Sequence, residues 1–264
     1  MASEEGFKKP AVSEDDFNFP PKDVHDSTAW DRYWKNEVRR WTAGFTDLFL
    51  LREEPLVRLM IALKAQSVLC AGNGISSEPE LLAYAGFWVT AADLSDWATQ
   101  FKQSHRLGSK SIKQMLYGGF LRPLSLQSVS AKLRFVGKSA SNVWKRLWNP
   151  LRKRGGTLEF VTGDLSDTEF CIGPFDVVIE RRMVQLFTGP DRDEILKKLA
   201  SRLAPNGLFV SHCHIGNWRK LGSRQHFFQE WFADHGFKVI HSYNDFLDLK
   251  DDHGRIALLM ASTG

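Results

Sequence analysis

From Ser67 to Ser262, short apolar runs alternate with stretches of helical period, and this alternation constrains the fold more than any other feature of the chain. Residues 67–71, 87–93, 157–161, 175–180, 207–214, 238–243 and 255–262 read as strands. Residues 76–86, 95–106, 191–203 and 225–236 read as helices, with Gly236 as a stop signal. A run as short and apolar as Val68-Leu69-Cys70-Ala71 suits a strand buried on both faces. Consecutive strands joined through helices pack as parallel neighbours, because a parallel crossover needs a long connection. The expectation is an α/β protein: a mostly parallel, seven-stranded sheet with helices on both faces.

The chain before Ser67 reads differently. Residues 1–28 are polar, mixed in charge and interrupted by Pro10, Pro20 and Pro21, which predicts a mobile arm. From Ser27 onward Trp30, Tyr33, Trp34, Val38 and Trp41 recur at three and four residues, the mark of a helix with an aromatic stripe. That stripe serves either to pack on the domain or to cover a ligand. A second helical stretch follows Pro55. No uninterrupted apolar run reaches the length of a membrane-spanning helix, and the first residues lack the basic-then-apolar order of a secretory signal. Cys70, Cys171 and Cys213 are too scattered for a disulfide framework or a C-x-x-C metal knuckle. A reducing cytoplasm is the simplest expectation.

The first strand ends in Gly72-Asn73-Gly74-Ile75-Ser76, directly before a helix. Small residues there let a ligand approach the backbone, and the helix start offers unpaired N–H groups. Asp93 ends the second strand, 21 residues beyond Gly72, where a carboxylate can accept from both hydroxyls of a ribose. Together these features point to a ligand bearing a nucleoside.

The run from Val68 to Ser76, with Asp93 after the second strand, resembles the cofactor end of class I S-adenosylmethionine-dependent methyltransferases. Gly163-Asp164-Leu165 resembles the family's adenine-side acid loop, and Phe175–Glu180 its fourth-strand motif. Leu203-Ala204-Pro205-Asn206-Gly207 resembles the turn before its fifth strand. Trp30-Asp31-Arg32-Tyr33-Trp34, Glu180-Arg181-Arg182 and Pro190-Asp191-Arg192 are similar to the thiopurine methyltransferase group. The resemblance implies a Rossmann-like methyltransferase domain over residues 29–264, with a helical cover and a basic insertion at about 107–156. It also implies S-adenosylmethionine as cofactor and a small-molecule or membrane-associated methyl acceptor. Ala71, Gly72, Asn73 and Gly74 would line its methionine and ribose, Asp93 and Leu94 the ribose, and Asp164 and Leu165 the adenine. Glu180 would meet both cofactor and acceptor, and Trp34 would cover the sulfonium. The chain departs from the family at Cys70, where an acid is usual, and at Ser76, the third small position of the loop.

Two other readings compete. A nicotinamide-dependent oxidoreductase needs a third glycine at position 77, which is Ser. A methyltransferase-like interaction protein with weakened or lost activity fits the departures at Cys70 and Ser76.

Methyl transfer from a sulfonium asks mainly for alignment and exclusion of water, and for a base only when the acceptor carries a proton to lose. Glu180 and His214 are the catalytic candidates. His212 and His214 alternate onto one strand face, but two histidines without a third ligand do not make a metal site. Charges directly after a buried strand cannot stay unpaired in the core, so Glu180, Arg181 and Arg182 should emerge at the mouth. There the arginines would orient an anionic acceptor or pair with Asp191 and Asp193. Asp176 opens the same strand at the far end of the sheet and reads as structural.

Between Trp97 and Leu158 lie thirteen of the 35 Lys and Arg and none of the 31 Asp and Glu, leaving an acidic remainder of 22 basic against 31 acidic residues. Within this block, residues 141–154 place Val143, Trp144, Leu147, Trp148 and Leu151 on one helical face beside Lys and Arg. That pattern suits an anionic membrane surface or a lid packed on the domain. Nucleic acid is disfavoured, since no reading motif accompanies the charge and the acidic remainder would repel a polyanion.

Overall fold

The computed structural model describes residues 21–41, 60–106, 155–181, 183–214, 231–244 and 255–262, with side chains left undescribed at 39–41, 212–214, 239, 241–244 and 255–262. In chain order the elements are α1 (Ser27–Trp41), β1 (Ser67–Ala71), α2 (Glu78–Tyr84), β2 (Trp88–Asp93), α3 (Asp96–Ser104) and β3 (Thr157–Thr162). β4 (Phe175–Arg181), a 3-10 turn (Val184–Leu186), α4 (Gly189–Ala200), β5 (Leu203–His214), β6 (Phe237–Asn244) and β7 (Arg255–Ser262) follow.

The strands form one seven-stranded sheet in the order β3-β2-β1-β4-β5-β7-β6. β3 to β5 run parallel, and β7 inserts antiparallel between β5 and β6. The expected mostly parallel sheet is present. The chain winds outward from β1 through β2 to β3, then returns to β4 on the other side of β1. That reversal opens a crevice at the carboxyl ends of β1 and β4.

The central strands are apolar on both faces, as their continuous runs require. Val68, Cys70, Val177, Ile179, Leu208 and Val210 point into one core with Leu82 of α2 and Phe87. Leu69, Ala71, Val178 and Phe209 point into the other, against Leu196 and Leu199 of α4 and Phe232. Asp176 proves structural in the expected way: its Oδ2 accepts from Gln66 N at 2.7 Å, Ser67 N at 2.9 Å and Ser67 Oγ at 3.1 Å. It thereby pins the start of β4 to the start of β1.

β5 begins at Leu203, four residues earlier than its sequence pattern predicts. Pro205, Asn206 and Gly207 look like a turn, and Asn206 does take a φ of 62°. The segment instead forms an irregularity within the strand: Phe175 pairs with Leu203 and Val177 with Leu208. The extra residues bulge out while pairing resumes on either side.

The basic block starts inside the fold. Lys102 of α3 is buried and its Nζ lies 2.5 Å from Glu80 Oε1 of α2. Arg106 donates to Leu158 O and stands over the Phe160 ring, 5.8 Å from its centroid. Residues 107–154, the segment 141–154 included, lie outside the described residues, as do residues 1–20. No helix among the described residues is long and apolar enough to cross a membrane.

Candidate functional site

Strand register brings the predicted residues into one row. Ala71 ends β1 level with Ala92 on one side and Glu180 on the other. Asp93 stands one residue further out, level with Thr162, and Glu180 is level with Ser211. The Gly72–Gly74 loop therefore leaves the sheet between Asp93 and Glu180, at the point where strand order reverses.

Gly72 and Gly74 have φ values of 63° and 49°, a backbone region that a Cβ disfavours. Gly72 N donates to Ala92 O at 2.9 Å, and Gly74 N donates to Asp93 Oδ2 at 2.7 Å. A Cβ on Gly74 would sit 2.1 Å from a ring carbon of Trp34, and one on Gly72 would sit 3.1 Å from Met183 Cβ. Both glycines are thus demanded twice, by conformation and by close approach. The Trp34 indole roofs the loop. Its Nε1 is buried with no hydrogen-bond partner among the described residues, and the same holds for Asn73 Oδ1. The other half of the Asn73 amide donates from Nδ2 to Gly74 O at 2.9 Å.

Asp93 is 6% exposed, and its Oδ1 accepts from Ser95 N at 2.9 Å. Burial pushes its carboxyl up to about 6, against the lowering effect of the Ser95 and Gly74 amides. Each oxygen keeps lone-pair capacity beyond its one backbone donor. Leu94 follows it, half-buried.

α1 is fastened over this row by residues that sequence reasoning did not single out. Asp26 Oδ1 accepts from Ala29 N at 3.0 Å and caps the helix. Asp31 Oδ1 accepts from Ser95 Oγ at 2.6 Å and from Trp97 N at 3.0 Å, tying α1 to the start of α3. His25, near the end of the expected mobile arm, packs edge-on against Phe187 at 5.7 Å and lies 3.2 Å from Asp164 Oδ2 through Nδ1. Asp31 sits inside the Trp-rich motif already noted, so its position was visible even though its partner was not. Nothing in the sequence marks the contact between His25 and Asp164, which are 139 residues apart. Trp30, Tyr33 and Trp34 form one aromatic cluster, with Tyr33 edge-on to Trp34 at 4.9 Å.

Asp164 closes the turn after β3, accepting from Ser166 N at 2.7 Å, with buried Leu165 beside it. Its burial opposes ionisation, yet hydrogen bonds from Ser166 and His25 outweigh that and hold the carboxyl below its ordinary range.

Glu180 does not emerge at the mouth. It is fully buried, with Oε2 accepting from Met183 N at 2.9 Å and Val184 N at 3.2 Å, and Oε1 accepting from Ser211 Oγ. Burial pushes its carboxyl up to about 7, partly offset by the Ser211, Val184 and Met183 bonds. Three donors satisfy the charge inside the core, which the expectation of exposure did not allow for. Arg181 donates to Ser76 Oγ, so the serine at the third small position ties the glycine loop to β4. Ser76 Oγ also accepts from Glu78 N at 3.2 Å, near the start of α2. Asp193 accepts from Trp231 Nε1 at 3.0 Å and lies 3.3 Å from His235 Nε2. Arg182 lies outside the described residues. The His214 backbone pairs with Arg255, three residues beyond the level of Glu180 and Ser211, and its side chain is not among those described. Among the described residues no group of three or more His, Cys, Asp or Glu is placed to hold a metal ion.

No protein-family model and no curated protein sequence matches the chain. Solved structures do. Magnesium protoporphyrin IX methyltransferase from Synechocystis PCC 6803, with bound S-adenosylhomocysteine, aligns at a TM-score of 0.55 and 17% identity over 90% of this chain and 99% of its own. The 1,6-didemethyltoxoflavin-N1-methyltransferase of Burkholderia thailandensis aligns at 0.52 and 15% identity over 93% of each chain. The N-methyltransferase NodS of Bradyrhizobium japonicum WM9 aligns at 0.51 and 11% identity, over 89% of this chain and 99% of its own. Strand order, the switch-point loop and these likenesses agree: the chain has the class I S-adenosylmethionine-dependent methyltransferase fold.

Proposed function

We propose that the chain is an S-adenosylmethionine-dependent methyltransferase acting on a small-molecule acceptor. One observation carries the reading: at the switch point a left-handed glycine loop is locked to a buried carboxylate and roofed by an indole. The residues fit the cofactor on three counts. Gly72 and Gly74 keep the turn after β1 bare of side chains, Asp93 retains acceptor capacity, and buried polar atoms of Asn73 and Trp34 stand beside the loop without partners among the described residues.

When bound, S-adenosylmethionine supplies a methyl group already activated by the sulfonium charge. In this reading the main chain of Ala71–Gly74 carries its methionine end, Asp93 accepts from the ribose hydroxyls beside Leu94, and Asp164 and Leu165 border the adenine. α1 excludes water, which strengthens every polar contact beneath it. Glu180 acts as a positioning residue. Its carboxylate is taken up by three donors, and through Met183 and Val184 it fixes the turn that walls Gly72. Where the acceptor has a proton to lose, His214 is the candidate base.

Incubating the chain with cell extract and methyl-labelled donor tests the reading. Label passing to a small molecule supports it. Donor binding without any labelled product would favour an interaction protein, and absence of donor binding would remove the reading altogether.

A further inference from the structure

The connection from β3 to β4, residues 163–174, has no helix or strand of its own and is built around one side chain from the junction of α4 and β5. Arg202 is 2% exposed, and among the described residues every bond of its guanidinium ends on a backbone carbonyl. Nε donates to Phe170 O at 3.3 Å and Nη1 to Lys198 O, while Nη2 donates to Asp167 O at 2.6 Å and to Phe170 O at 2.9 Å. The Arg202 carbonyl accepts from Phe175 N at 2.7 Å, and a Cβ on Gly173 would lie 2.3 Å from that oxygen. Two successive turns carry this grip back to the site. Phe170 N donates to Asp167 O at 3.2 Å, and Asp167 N donates to Asp164 O at 3.0 Å. The Phe170 ring lies 2.5 Å from where a Gly163 Cβ would stand, and Gly163 N donates to Asp93 O at 3.0 Å. Through Asp167 and Phe170, one side chain therefore bears on both acids of the site.

A buried guanidinium that meets only neutral carbonyls is costly to desolvate, and turn residues alone suffice to close a short loop. What the arginine adds is a planar fork that fixes several carbonyls relative to one another. We infer that Arg202 is a positioning residue for recognition of the cofactor's base: by fixing the carbonyls of Asp167 and Phe170 it sets Asp164 where its carboxylate accepts from the adenine amino group. This rests on the reading of the site as an S-adenosylmethionine site. Asp164 suits the task. Against its burial, hydrogen bonds from Ser166 and His25 hold its carboxyl below the ordinary range, so it presents acceptors only. Each oxygen keeps lone-pair capacity beyond its partner, Ser166 N for Oδ1 and His25 Nδ1 for Oδ2.

The test compares S-adenosylhomocysteine with S-inosylhomocysteine, which shares the sugar and amino-acid end but carries an oxygen in place of the 6-amino group. In calorimetric titrations the unaltered chain should prefer the adenosyl ligand about ten-fold or more, since a carboxylate accepts from an amine and repels a carbonyl oxygen. Arg202→Lys keeps the charge and loses the fork, and should bring that preference to within about three-fold. Phe170→Leu leaves every Arg202 bond in place and frees Gly163, so it should lower the preference even if Arg202→Lys fails to fold. In an Asp164→Ala background, Arg202→Lys should not move the ratio further. Equal weakening of both ligands by either variant, or no change in either, would overturn the inference and return Arg202 to plain support of the fold. A further fall of the ratio in the Asp164→Ala background would overturn it too, because Arg202 would not be acting through Asp164. If the unaltered chain binds both ligands equally tightly, the inference falls and the cofactor reading stands. If it binds neither, the cofactor reading itself fails.

Discussion

Replacing Glu180 by Gln should make the protein more stable at alkaline pH and leave it unimproved at acid pH. Burial raises this carboxyl from 4.5 to about 7, so the folded state holds the proton more tightly than the unfolded chain. Folding stability is therefore full below the unfolded value and is lost as pH rises through the folded one. Above about pH 7 the lost amount is about 3 kcal/mol. Gln keeps the geometry: its oxygen accepts from the Met183 and Val184 amides, and its nitrogen donates to Ser211 Oγ. One amide hydrogen is left over, a cost of about 1–2 kcal/mol. Net, the variant should gain about 1–2 kcal/mol at about pH 8 and lose about 1 kcal/mol at about pH 5. Urea denaturation of both proteins at the two pH values reads this difference directly, because titrations elsewhere cancel between them. A stability difference that does not change with pH would refute the argument, since it would mean that Glu180 ionises in the fold as it does in water.

Gly74→Ala should loosen α1, with about 1–3 kcal/mol of backbone strain added to the collision with Trp34. Adding Trp34→Ala should relieve the collision and leave the strain, as thermal melts of the single and double variants would reveal. Asp31→Ala strips the acceptor from Ser95 Oγ and Trp97 N, so hydrogen exchange in α1 should quicken while β1 and β4 stay protected. Asp176→Ala should cost about 1–3 kcal/mol in chemical denaturation, because three donors at the start of β1 lose their shared acceptor. Cofactor affinity should fall as pH drops through about 6, where Asp93 takes up a proton and loses acceptor capacity. Titrations of Asp93→Asn across the same range should be flat.

How much of this was legible depended on whether the signal was local. β1 spans Ser67–Ala71, where its apolar run ends at glycine, and α1 begins at Ser27, where the aromatic period begins. That Gly72, Gly74 and Asp93 lie together at the strand ends was legible because strand ends and spacing are properties of the sequence itself. β5 was read four residues short, since Pro205-Asn206-Gly207 carries turn chemistry whether it makes a turn or a bulge. The burial of Glu180 was invisible for a different reason. Whether a charge after a strand emerges depends on which donors await it, and Ser211 lies on another strand, 31 residues on. Lys102 shows the same limit: it counts toward a basic block in sequence and neutralises Glu80 inside the fold.

In the proposed function, Asp93 and the glycine loop hold S-adenosylmethionine. Calorimetric titration of that ligand into the unaltered chain and into Asp93→Ala tests it most directly. The unaltered chain should bind saturably, and the variant should bind more weakly by about 1.5–3 kcal/mol, the scale of hydrogen bonds to a charged group. Equal affinity in the two proteins, or no binding by either, would contradict it.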